Sequence, residues 1–152
     1  RFKYNRIYED DFDFAIGKAN IIRDGSDVTL IAEGSLMVNT CLTAAEMLAE
    51  KGISARVVDI FTIKPIDEDT IVKCAKETGA IVTAENHSIT VGLGSAVAEV
   101  LCDKFCGVPM KRIGVPNRFG EVGLPGDLQK IMHMMPEDVV AAAEKVIAGK
   151  KK

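Results

Sequence analysis

The chain has 152 residues, a formal net charge of −3, a pI near 5.4 and 47% hydrophobic residues. That length fits one domain, long enough to bury a core without a metal or disulfide staple. Basic residues are scattered apart from Lys150, Lys151 and Lys152, which argues against a nucleic-acid binder, whose pI commonly exceeds about 9.

No apolar run approaches the roughly 18 residues that span a bilayer, and no signal peptide is visible. Cys41, Cys74, Cys102 and Cys106 form no CxxC pair and no zinc-type cluster with histidine. They are read as small apolar thiols in a reduced, cytoplasmic core, with Cys102 and Cys106 sharing one helix face. Aromatic residues are only 5% with no Trp, so aliphatic side chains are expected to fill the core. The sequence starts at Arg1 rather than Met. Residues 1–13 read as a linker with an acidic patch, 14–149 as the domain, and 150–152 as a disordered tail.

The stretch Phe14–Arg23, the turn Asp24-Gly25-Ser26-Asp27 and the run Val28–Ala32 suggest a hairpin. Val28–Ala32 is almost wholly apolar, as for a strand buried on both faces. After Gly34 the period changes. Val38, Cys41, Leu42, Ala45, Leu48 and Ala49 form a helical stripe, with Ser35 as a plausible N-cap and Gly52 past the end. Ala55–Ile60 reads as a strand, and Asp67 as the cap of a helix closed by Gly79.

A third buried strand, Ala80–Ala84, leads into a polar loop, Glu85-Asn86-His87-Ser88. A helix then runs through Ala96, Val97, Val100 and Leu101. Met110–Val115 is a fourth strand, residues 114–126 a Gly- and Pro-rich loop, and two short helices finish the chain, the last over Glu137–Ala148. Alternating strands and helices predict a three-layer α/β/α fold. Its sheet is mostly parallel, of about five strands, one of them antiparallel.

Chemistry concentrates in residues 85–99. Gly92-Leu93-Gly94 does not complete a dinucleotide fingerprint, because the third glycine position is Val97 and Gly92 lies eight residues beyond Ala84. The glycines are read instead as letting a loop backbone approach another surface, with N–H groups at the helix start open to an anion. His87 lies at a strand's carboxyl end, where open parallel sheets bind ligands. It is read as an acid–base group or as a loop histidine bonded to Glu85 or a backbone carbonyl, the second being favoured. His133, within MHMM, is assigned to packing or partner contact on an apolar helix. Arg118 is suited either to clamp a phosphate or carboxylate or to pair with Glu121 and hold its loop, again with the second favoured. No P-loop, Ser/His/Asp set or metal motif appears.

Four stretches in order, IRDGSDVTLIAEG, VVDIFTIKPID, AENHSITVGLGSAVAE and RIGVPNRFGEVG, resemble the C-terminal domain of transketolases. The resemblance covers residues 14–148 and is nearest to transketolases whose halves are separately encoded. The chain is also similar to the last domains of 1-deoxyxylulose-5-phosphate synthase and of 2-oxo-acid dehydrogenase beta chains. Asn86-His87 and the RFGE loop lean towards transketolase.

The resemblance implies ketol transfer between sugar phosphates, using thiamine diphosphate and a divalent metal (Mg or Ca) held by other domains. It implies an N-terminal and a pyrimidine-binding domain as partners, and a homodimer or heterotetramer. The family's Gly-Asp-Gly…Asn cofactor signature has no counterpart here, so no catalytic, cofactor-binding or metal-binding residue is expected in this chain, His87 apart. Glu85, Asn86, His87, Gly92, Gly94, Arg118 and Glu121 are the substrate or interface candidates. Two positions depart from the family's pattern: Val91 stands where glycine is common, and Asn117 where aspartate is. A stand-alone domain binding a small anion at the 85–95 loop is the competing reading.

Overall fold

The computed structural model describes residues 5–150, so the expectations for residues 1–4 and 151–152 lie outside the described residues. Strand β2 (Val28–Ala32) is buried along its whole length. Its one polar side chain, Thr29, is satisfied by the Thr78 hydroxyl at 2.9 Å. With both faces apolar, β2 takes the centre of the sheet, flanked in parallel by β3 (Ala55–Asp59) and β4 (Ile81–Ser88). β5 (Met110–Val115) extends the sheet beyond β4, and β1 (Asn20–Arg23) closes the other edge, giving the order β1-β3-β2-β4-β5.

The five strands, with β1 alone antiparallel, match the expected fold class. The expected hairpin does not form. β1 pairs with β3, because both hydrogen-bonding edges of β2 are already filled by β3 and β4. The turn between β1 and β2 instead packs against the start of β3. Arg56, 6% exposed, donates to Asp24 at 2.9 Å and to Glu77 at 2.5 Å, holding that corner.

Helices cover both faces. α1 (Gly34–Glu50) and α5 (Pro136–Ala148) pack Met37, Cys41, Leu48, Val139 and Ala143 on one side of the sheet. α2 (Glu68–Thr78) and α3 (Leu93–Asp103) pack Ile71, Cys74, Leu93 and Val97 on the other. α1 begins at Gly34 after Glu33, with Ser35 already inside its first turn, so Ser35 is not the N-cap. Asp67 does cap α2, accepting from Thr70 N–H at 3.1 Å, and Gly79 closes that helix with φ 65°. Burial opposes the Asp67 charge, but bonds from Ala19 and Thr70 outweigh it and hold the carboxyl below its ordinary pKa.

α4 (Pro125–Ile131) is short, and His133 is exposed in the turn after it with φ 56°, rather than on an apolar helix. α3 ends at Asp103, so Cys102 and Cys106 do not share a helix face. Cys102 is exposed, whereas Cys41 and Cys74 are buried.

The aliphatic core leaves the aromatic rings elsewhere. Tyr8, Phe12, Phe14 and Phe61 stack edge to face or tilted, with centroids 4.2–5.0 Å apart. The Tyr8 hydroxyl donates to Asp59 at 2.6 Å, at the end of β3. Burial raises the Asp59 pKa, with the Tyr8 bond pulling the other way. Residues 5–13 therefore lie docked against the domain where a linker was expected.

At Gly25 a Cβ would overlap the Ala55 carbonyl carbon and the Arg56 nitrogen, and lie 2.7 Å from the Ala55 oxygen. Gly25→Ala is expected to cost about 1–3 kcal/mol, read as a lower urea midpoint at unchanged slope. An unchanged midpoint would show that this corner is loosely packed.

Candidate functional site

The chain reverses its direction across the sheet between β2 and β4, and the crevice outside their carboxyl ends is where such folds bind ligands. Here it has a volume of about 320 Å³ and is lined by Glu33, Ile63, Glu85, His87, Val91 and Gly92 among others. Its floor is set by an irregularity in β4. Ala84 pairs with Ile113 but Ser88 pairs with Val115, so four residues of β4 span two of β5. The bulge breaks the in–out alternation. Glu85 turns fully inward while Asn86 and His87 face out.

Glu85 is 0% exposed and lies in a strand, not in a polar loop as expected. Its Oε2 accepts from Leu93 N–H at 2.7 Å and its Oε1 from Gly94 N–H at 2.9 Å. These are the first amides of α3, so the carboxylate fills the helix N-terminus with charge of the favoured sign. The anion site expected at this helix start is thus occupied from within. Gly92, the residue before α3, passes so close that a Cβ would overlap Glu85 Oε2. The approach foreseen for the glycines is onto this side chain. Gly94 is less tightly packed, a Cβ there lying 2.7 Å from Arg112 Cδ and 2.8 Å from Thr83 Oγ1.

His87 is largely exposed. Its Nδ1 donates to the Ser88 carbonyl at 3.1 Å and sits 3.9 Å from Glu85 Oε2. Glu33, which sequence reasoning missed, stands at the other wall. It is the residue before α1, yet its carboxylate caps no amide. Burial, then the Glu85 charge and Asp59, raise its pKa, with His87 opposing. Its signal was positional: it directly follows the carboxyl end of the central strand. Arg118 and Glu121 do not reach this crevice. They pair with each other across i,i+3 in the exposed loop after β5. Glu121 lines a neighbouring apolar groove of about 410 Å³ with Leu36, Asn86, Leu128 and Met132.

This geometry does not suit a diphosphate. The helix-start amides of α3 are taken by Glu85, and the charge of Glu33, beside the start of α1, would repel a phosphate. Among the described residues no three His, Cys, Asp or Glu side chains are placed to hold a metal ion. Among the described residues no helix is long and apolar enough to cross a membrane.

The fold and crevice define an α/β module in which the start of α3, at the switch point, is filled by the chain's own carboxylate. Residues 17–139 match the family described as "Transketolase, C-terminal domain", and the chain belongs to that family. It is 46% identical over 145 residues to a 6-deoxy-6-sulfo-D-fructose transketolase subunit of Clostridium sp. (strain MSTE9), covering 95% of this chain and 44% of that protein. It is 41% identical over 136 residues to 1-deoxy-D-xylulose-5-phosphate synthase 1 of Geobacter sulfurreducens, covering 89% of this chain and 21% of the synthase. A solved structure titled "Split gene transketolase, inactive beta4 tetramer" superposes with a TM-score of 0.92 at 42% identity, covering 97% of this chain and 48% of that one. The chain therefore spans less than half the length of these relatives.

Removing the Glu85 side chain leaves two buried N–H groups without an acceptor. Glu85→Ala is expected to destabilise the fold by about 2–4 kcal/mol, and Glu85→Gln, which keeps one acceptor, by less. Urea unfolding checks this. A Glu85→Ala chain as stable as its parent would contradict the buried-carboxylate geometry.

Proposed function

We propose that this chain is the C-terminal module of a thiamine-diphosphate-dependent transketolase that moves a ketol unit between sugar phosphates. In this reading the cofactor and its divalent metal are held by domains other than this one. The observation that carries the proposal is the 46% identity to a transketolase subunit along 95% of the chain. The start of α3, occupied by the Glu85 carboxylate, supports it, because a domain that does not hold the cofactor has no need of a phosphate cradle there. The module's role is then to support assembly, with partners that are the cofactor-binding domains of the same enzyme and a dimer or tetramer as the working form. The solved relative titled as a tetramer supports an oligomer. Four free thiols, two of them buried, accord with a cytoplasmic setting.

The 1-deoxyxylulose-5-phosphate synthase reaction is the second reading, favoured by the 41% identity over 136 residues. Asn86-His87 and the Arg118–Glu121 loop lean the assignment to transketolase. The test combines the chain with the cofactor-binding domains of its parent enzyme, adds thiamine diphosphate and magnesium, and assays both reactions. Ketol transfer that rises at least tenfold over the cofactor-binding domains alone is the expected result. Synthase activity alone, or no gain in either, would contradict the proposal.

A further inference from the structure

The carboxyl edge of the sheet carries a rim of apolar side chains in water. Phe119 and Val122, in the loop after β5, are 98% and 107% exposed, and Leu124 beside them is 71% exposed. Val91, after β4, is 86% exposed, and Ile63, after β3, is exposed too. These loops are contiguous. Asn86 lines both the crevice bordered by Ile63 and Val91 and the apolar groove bordered by Gly120 and Glu121. Val91 also has φ 59°, a left-handed conformation that is costly for a β-branched residue. Its amide is held there by Ser95 Oγ at 3.0 Å, which leaves the apolar side chain pointing outward. Large apolar groups gathered on one edge, around a recessed polar centre, are the pattern of an interface.

We propose that this edge is the docking surface for the cofactor-binding part of the parent enzyme, which seats apolar side chains on Phe119, Val122 and Val91 and places a lysine or arginine against Glu33. The inference rests on the proposed function and adds which surface is used and what meets it.

Three observations select this occupant. The relatives carry more than half their length outside the matched region, so the enzyme itself supplies the partner surface. The N-terminal segment adds polar surface to this edge: the Asn39 carboxamide of α1 donates to the Asn5 carbonyl at 3.4 Å and to the Ser35 carbonyl at 2.9 Å. The crevice is acidic, and among the described residues the Glu33 carboxylate has no hydrogen bond or ion pair, whereas that of Glu85 is bound by two amides. A cation from the partner satisfies Glu33, and the apolar rim excludes water around that pair.

The experiment uses the assembled parent enzyme with a photo-cross-linking p-benzoylphenylalanine in place of Phe119, and separately in place of Phe105. Phe105 is 94% exposed but lies between α3 and β5, at the opposite edge of the sheet, so it controls for exposure alone. The expected result is cross-linking from position 119 to the cofactor-binding part at least tenfold above that from position 105. The captured peptide should contain a lysine or arginine, and Glu33→Gln should loosen the assembly about tenfold while Glu99→Gln on exposed α3 does not. Equal yields at the two positions, or cross-links from 119 to a second copy of this domain, would overturn the proposal. Ketol transfer by the unsubstituted assembly is read separately. An active enzyme without the 119 cross-link sinks the docking surface alone, and a cross-linked assembly without transfer sinks the function alone.

Discussion

The Glu85 carboxylate resting on the Leu93 and Gly94 amides fixes the shape of the carboxyl edge. It joins the end of β4 to the start of α3 inside the protein, where a charge is tolerable only if fully bonded. From it follow the bulge that turns Glu85 inward, the need for glycine at 92, and the outward placement of Asn86 and His87. In the tight reversal between bulge and helix Val91 adopts a left-handed conformation. A side chain that in other α/β folds would leave the helix start open to phosphate here closes it.

That closure takes the start of α3 out of reach of an external anion. The polar groups left facing outward are Glu33, Asn86 and His87, and the surrounding loops present Ile63, Val91, Phe119 and Val122 to solvent. The two cores beneath are aliphatic and lie on opposite faces of the sheet. Residues 5–14 are tied to the same edge by the Tyr8–Asp59 bond and the aromatic stack, which turns an apparent linker into a fixed approach to the domain.

The parts legible in the sequence were those determined locally. The apolar run of β2, the stripe of α1, the Asp67 cap and the Pro136 start of α5 follow from period and capping chemistry, and the ordered motifs named the family. The misreadings were non-local. β1 lies next to β2 in sequence, but its partner is decided by which strand still has a free edge, and that is β3. Glu85 read as loop because its polarity interrupts an apolar strand, and only the glycines near it hinted at a close approach. Tyr8 and Asp59 are 51 residues apart, so no window of sequence pairs them. Arg118 and Glu121, three apart, were within reach of sequence reasoning.

The central claim is that an internal carboxylate seals the start of α3. Amide hydrogen exchange at Leu93 and Gly94 tests it directly, because free helix-start N–H groups exchange rapidly while buried, bonded ones open only with larger unfolding. The account predicts protection of both amides comparable to that of the β2 core strand. Exchange at the rate of the exposed loop residues Phe119 and Gly120 would contradict it.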